Sequence, residues 1–167
     1  PGSENTEVAL GHGLALRCGD PDALPLWLAN RILGVGFGSR LVAAVREARG
    51  LTYAIHSGLT PPQPEFDGHW SVGVSLSPER LEAGLAATRA EIERFVEEGV
   101  DAQTLEIKCR QAIGAFRIEL ATLAGMCEAM LYGAERGWGA DYPFAFPRLL
   151  GEIDVARLNR VVRAHFR

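Results

Sequence analysis

The stretch from Leu33 to Leu59 reads LGVGFGSRLVAAVREARGLTYAIHSGL and holds most of the local information in the chain. Three glycines, Gly34, Gly36 and Gly38, form a loop that opens onto a short helix over Ser39–Arg49. Leu41, Ala44, Val45 and Ala48 make that helix's apolar side, while Arg40, Glu47 and Arg49 face elsewhere. Gly50 stops the helix, because glycine adopts the left-handed conformation of a helix end at little cost. A strand follows at once, in which Tyr53, Ile55, Ser57 and Leu59 alternate with Thr52, Ala54, His56 and Gly58. Arg46 and Tyr53 stand seven residues apart across this junction, a basic group and a phenol where two elements meet.

Working outward, Val8, Leu10, His12, Leu14, Leu16 and Cys18 alternate with small residues and predict a strand over residues 7–18. Gly11 and Gly13 on its small face imply close packing there. Asp20-Pro21-Asp22 reads as a helix start, and Leu24, Trp27, Leu28, Ile32 and Leu33 keep helical spacing up to Gly34. A third strand alternates Trp70, Val72, Val74 and Leu76 with His69, Ser71, Gly73 and Ser75. The intervening TPPQPEFDG, residues 60–68, is a loop by its prolines, and antiparallel pairing is the economical connection. Both strands have one apolar face for helices and one small or polar face for a cavity or a partner.

Ser77-Pro78-Glu79 begins a helix that runs to Gly99, and Asp101 caps the longest one. Its stripe includes Leu105, Cys109, Ala112, Phe116, Leu120, Leu123, Cys127, Met130 and Leu131, ending at Gly133 or Gly137, with kinks conceivable at Gly114 and Gly125. WGADYPFAFP, residues 138–147, reads as irregular, and two short helices over 148–153 and 154–166 finish the chain. The order β-α-α-β-β-α-α-α-α predicts an α+β fold: a two-layer sandwich whose small, mostly antiparallel sheet carries helices on one face.

The 167 residues suit one domain, 1–167, long enough to bury roughly 70% of the surface the unfolded chain exposes. With 47% hydrophobic and 23% charged residues the composition is globular, and a net charge of −4 argues against nucleic acid. No apolar run reaches the roughly 20 residues needed to span a bilayer. Cys18, Cys109 and Cys127 form no CxxC; the latter two fall on an apolar helix face and read as packed thiols. The chain begins at Pro1 without a Met and reads as a piece excised from a longer protein, so its compartment stays open, bacterial cytoplasm or periplasm being the expectation.

Several chemistries fail on pattern. Gly34-Val35-Gly36-Phe37-Gly38 is GxGxG after a helix, whereas the dinucleotide fingerprint is GxGxxG after a strand. No HExxH or HxxEH is present, so a zinc site has no helical pair of imidazoles and no metal ligand is assigned. His56 and His69 are near enough in the strand pair to approach one another, or else simply line a cavity. There is no GxSxG elbow, and Glu91, Glu93, Glu97 and Glu98 read as a solvated helix face. What remains is Arg46, always charged, and Tyr53, able to donate to a developing oxyanion. A surface ion pair of Arg46 with Glu47 is the competing account.

Leu33-Gly34, Ser39-Arg40-Leu41, Arg46-Glu47, Gly50-Leu51 and Tyr53 together resemble the signature of the C-terminal, zinc-free domain of pitrilysin/insulinase-type metallopeptidases, the inverzincins that include the mitochondrial processing peptidase. The flanking elements agree, so the resemblance covers essentially the whole chain. Gly38 departs from the polar residue expected there, and Val42 from the usual Phe.

The resemblance implies half of a two-half enzyme. A catalytic half with HxxEH holds zinc, while this half binds no cofactor, has no activity alone and closes over a peptide or unfolded polypeptide substrate. Arg46 and Tyr53 match in identity and spacing the pair that reaches the substrate carbonyl and the tetrahedral intermediate. His56, His69 and Ser71 are a further expectation for substrate binding, as is Ser75 as part of the chamber lining. Other readings are a non-catalytic assembly subunit of the same fold, like the core proteins of respiratory complexes, or a peptide-binding module. Isolated halves are expected to be able to pair as homodimers through the open sheet face.

Overall fold

Alternating side chains on three segments make a sheet when their apolar faces coincide. In the computed structural model, which describes residues 5–17, 19–60 and 67–166, β1 (Thr6–Gly13), β2 (Ala54–Thr60) and β3 (His69–Leu76) pair antiparallel in the order β1-β3-β2. Leu10 stands opposite Val72 and His12 opposite Trp70, while Ile55 stands opposite Val74 and Ser57 opposite Val72. This register collects Ile55, Ser57, Trp70, Val72, Val74 and Leu76 on one buried face. Ala9, His56, His69, Ser71 and Gly73 share the other face, which is exposed or half-buried.

Helices cover the buried face. α1 (Ala23–Gly34) lies on β2 and against α6 (Val155–His165), and α6 also meets α2 (Leu81–Glu98). Phe166, just past α6, is fully buried and meets Trp70 and Phe95 edge-on at 5.1 and 5.6 Å, tying the last helix to the sheet and to α2. The α+β sandwich expected from the element order is the observed architecture. Among the described residues no helix is long and apolar enough to cross a membrane.

Five expectations need correction, among them that Cys127 is a packed thiol, since it is exposed. β1 ends at Gly13, well short of residue 18, although Leu14 and Leu16 remain buried beyond it, with the Leu14 N–H bonded to Gly68 O at 2.7 Å. Cys18 and residues 61–66 of the proline loop lie outside the described residues. The long helix is two, α3 (Ala102–Glu119) and α4 (Leu123–Glu135). Thr122 caps α4 by accepting from the Gly125 N–H at 3.0 Å, and a Cβ on Gly125 would lie 2.0 Å from Glu119 O, so this glycine permits the corner between them.

The break turns half of the apolar stripe outward. Leu123 is 82% exposed and Leu131 59%, and Cys127 is exposed while Cys109 is half-buried. The 138–147 segment is not irregular throughout, because α5 (Tyr142–Gly151) forms despite Pro147 inside it. Proline deletes one helical hydrogen bond there, but the turn-by-turn burial of Tyr142, Phe146 and Leu150 outweighs it. Glu91, finally, is not solvated; it is 3% exposed and ion-paired with Arg40 and Arg94.

Candidate functional site

The glycine loop is built by contacts more than by flexibility. A Cβ on Gly34 would fall 2.3 Å from Ser57 Cβ, so α1 can approach β2 here only without a side chain. That approach sits beside a buried polar cluster in which Ser57 Oγ donates to Asn30 and accepts from Trp70 Nε1 at 2.8 Å. Gly36 has φ of +80° and accepts at its carbonyl from the Ser39 N–H at 3.2 Å. Lys108 from α3 donates to Gly38 O at 2.8 Å. Burial first, then the nearby Arg31 charge, lowers the Lys108 pKa below the ordinary lysine value.

The short helix after the loop winds as a π-helix over Val42–Glu47, with the Ala48 N–H bonded to Ala43 O at 2.9 Å. Its wider turn changes which side chains face inward. Val42 joins Leu41 and Val45 in the core, whereas Ala48, assigned to the apolar side by regular spacing, is exposed. Arg40 anchors the start of this segment on Glu91, Glu98 and the Gly99 carbonyl. Burial opposes the Arg40 charge, but the bonds to Glu91 and Glu98 outweigh it and hold its pKa above the usual arginine value.

Gly50, at φ +59°, reverses the chain. Its N–H bonds to Arg46 O at 3.0 Å, the Leu51 N–H bonds to Val45 O at 3.1 Å, and Arg80 donates to the Gly50 carbonyl. Thr52 is buried; its hydroxyl donates to Ser75 O on β3 and accepts from the Ala54 N–H at 3.1 Å. Tyr53 therefore precedes the strand, not on its buried face, and is 80% exposed.

Arg46 and Tyr53 are brought together: the guanidinium carbon lies 4.8 Å from the Tyr53 ring centroid. Phe37, from the glycine loop, places a second ring 5.2 Å from the same carbon. No described carboxylate is within ion-pair distance of Arg46, so the pairing with Glu47 is not formed. Sequence reasoning missed Phe37. An aromatic inside a glycine-rich loop is its only signal in the sequence; that its ring meets Arg46, at the far end of the following helix, depends on how loop and helix fold.

The other three candidates share the open sheet face without touching this pair. His56 stands opposite Gly73, and a Cβ on Gly73 would come 2.6 Å from its ring, so the glycine makes room for the imidazole. Ser71 is opposite Gly58, and His69 is opposite Thr60, whose hydroxyl is 3.1 Å from its Nε2. His56 and His69 are thus four positions apart in register, about 13 Å along the strands, and do not approach one another. Ser75, between Glu7 and Ala54 in register, is half-buried. Among the described residues no three His, Cys, Asp or Glu side chains are grouped to hold a metal.

The fold is thus a three-stranded antiparallel sheet backed by helices, with Arg46 and Tyr53 together at one corner. Residues 4–112 match the model of the peptidase M16 inactive domain, and the chain belongs to that family, as the resemblance to the pitrilysin/insulinase type indicated. Among solved structures, the peptidase M16 inactive domain from Pseudomonas fluorescens is 27% identical, with a TM-score of 0.86 over 99% of this chain and 39% of that one. A protease from Helicobacter pylori shares the fold at 16% identity, TM-score 0.84, over 100% of this chain and 39% of that one. So does the ferredoxin protease FusC, as a variant in complex with Arabidopsis ferredoxin, at 12% identity and TM-score 0.72 over 96% of this chain and 17% of that one. The chain thus spans about two fifths or less of the length of these three. No curated protein sequence matches it.

Proposed function

We propose that residues 1–167 are the zinc-free half of a two-half metalloendopeptidase, which closes over a homologous HxxEH-bearing half and holds a polypeptide between them. The observation that carries this reading is Arg46, whose guanidinium lies over the ring of the exposed Tyr53 with no carboxylate among the described residues to neutralise it. A permanent cation left unpaired beside a phenol is arranged for an acceptor from outside the domain. That a protease of this fold is found in complex with ferredoxin is consistent with a protein as the substrate.

Among the described residues no group of His, Cys, Asp or Glu fits zinc; in this reading the metal belongs to the other half, where it would supply an activated water. This chain's part is electrostatic. On closure Arg46 donates to a backbone carbonyl of the substrate and orients it, while the Tyr53 hydroxyl donates to the oxygen on which charge develops. His56, Ser71 and His69 line the floor along which the chain of the substrate extends.

The test is made in the assembled two-half protein. Arg46→Ala and Tyr53→Phe should each lower turnover while zinc content and thermal stability stay unchanged. Unaltered turnover in both would remove the site assignment. An assembled protein whose other half lacks HxxEH and cleaves nothing would make the chain an assembly subunit instead.

A further inference from the structure

Phe37 is the one member of the corner that the mechanism above leaves without a role. It is 74% exposed, so burial does not account for an aromatic ring there. The loop bearing it is nonetheless held on both sides: Gly36 O accepts from the Ser39 N–H, and Gly38 O from Lys108. The ring therefore starts from a restrained backbone, and what it meets is Arg46.

We infer that Phe37 is a positioning residue for Arg46, confining the guanidinium together with Tyr53 so that its N–H groups are presented to the substrate in one orientation. This rests on the reading of Arg46 and Tyr53 as substrate contacts. The physical need is entropic. An arginine without an ion-pair partner samples many rotamers, and ordering it on binding costs affinity or rate. Aromatic faces restrain the cation without consuming its five N–H donors, because a ring is not an in-plane acceptor. A carboxylate in the same place would restrain it equally but would occupy those donors. None of the Arg46 side-chain N–H groups is bonded among the described residues.

Nuclear magnetic resonance of the 167-residue chain tests the placement directly. Ring currents from Phe37 and Tyr53 should displace the Arg46 δ-methylene and Nε–H signals from their free values. Phe37→Ala should move them back toward those values, and Phe37→Tyr should keep them displaced. Kinetics of the assembled two-half protein test the role. Phe37→Ala should lower kcat by about two- to fivefold, the scale of one exposed cation–π contact, with Phe37→Tyr near wild type. In an Arg46→Ala background Phe37→Ala should add nothing, because it acts through Arg46. Identical Arg46 signals in wild type and Phe37→Ala would overturn the inference, and so would a further loss of turnover on top of Arg46→Ala. Full turnover in Arg46→Ala alone would defeat the proposed function, whereas the resonance result would still decide the placement.

Discussion

Arg40 Nε donates to Glu91 Oε1 at 2.7 Å, joining the residue that follows the glycine loop to the middle of α2. Glu91 is 3% exposed and takes Arg94 on its other oxygen, while Arg40 also reaches Glu98 and lies over the Phe95 ring at 5.4 Å. Removing Arg40 leaves a buried carboxylate short of a charged donor. Arg40→Met should therefore lower stability by about 2–3 kcal/mol, seen as a lower urea midpoint with an unchanged slope. Arg40→Lys should not restore it, because an ammonium cannot span Glu91, Glu98 and the Gly99 carbonyl as a planar fork does. Equal stability of wild type and Arg40→Met would show that the network contributes nothing.

The glycines of the loop should differ in tolerance. Gly34→Ala forces a Cβ to 2.3 Å from Ser57 Cβ and 2.6 Å from its backbone nitrogen, so α1 must move off β2. The expected cost is about 1–3 kcal/mol or more. Gly38→Ala meets nothing closer than Lys108 Nζ at 3.7 Å and should leave the melting temperature within a degree or two of wild type. Thermal melts of the two variants side by side decide this; similar losses would contradict the close approach of α1 and β2.

Acid should weaken the α3 cap. The Thr104 backbone N–H, then its hydroxyl, lower the pKa of the Asp101 carboxyl below the ordinary aspartate value. A carboxyl depressed in the folded state stabilises the fold above its unfolded pKa, about 3.8, and the stabilisation disappears as pH falls through the folded value. Asp101→Ala should melt below wild type at pH 7, and the gap should narrow as pH drops below about 3.8. A gap that stays constant down to the acid transition would assign the effect to something other than the ionised cap.

At the corner, the proposed function makes Tyr53 a donor to the developing oxyanion; on that reading Tyr53→Phe should lower kcat by about 10²–10³. Arg46→Ala should raise KM as well if, as proposed, Arg46 orients the substrate chain. Zinc measured by elemental analysis should be unchanged in both variants of the assembled protein. The 167-residue chain alone should bind no stoichiometric zinc and cleave no peptide; tight zinc binding by it would contradict the division of labour between halves.

Short-range rules in the sequence determined much of this molecule. Alternation gave β2 and β3 their buried faces, Gly50 ended one helix, and Asp101 and Asp154 began two others, each accepting from a backbone N–H three residues on. The spacing of Arg46 and Tyr53 likewise placed them together, because the turn at Gly50 is local. Tertiary structure alone decided what depends on distant neighbours. Glu91 belongs to an acidic run, and its burial is met by two cations, Arg94 three residues on and Arg40, 51 residues away, the second of which no local pattern announces. α5 forms across Pro147 because its aromatic face has a core to fill, and α4 parts from α3 because Thr122 and Gly125 cap a corner that apolar periodicity does not register. Phe37 meets Arg46 where Lys108 of α3 bonds the glycine loop and a π-turn follows it, neither of which the spacing of residues announces. A pattern along the chain specifies which faces can be buried; which partner arrives to bury a charge, or to leave one uncovered, is settled when the elements pack.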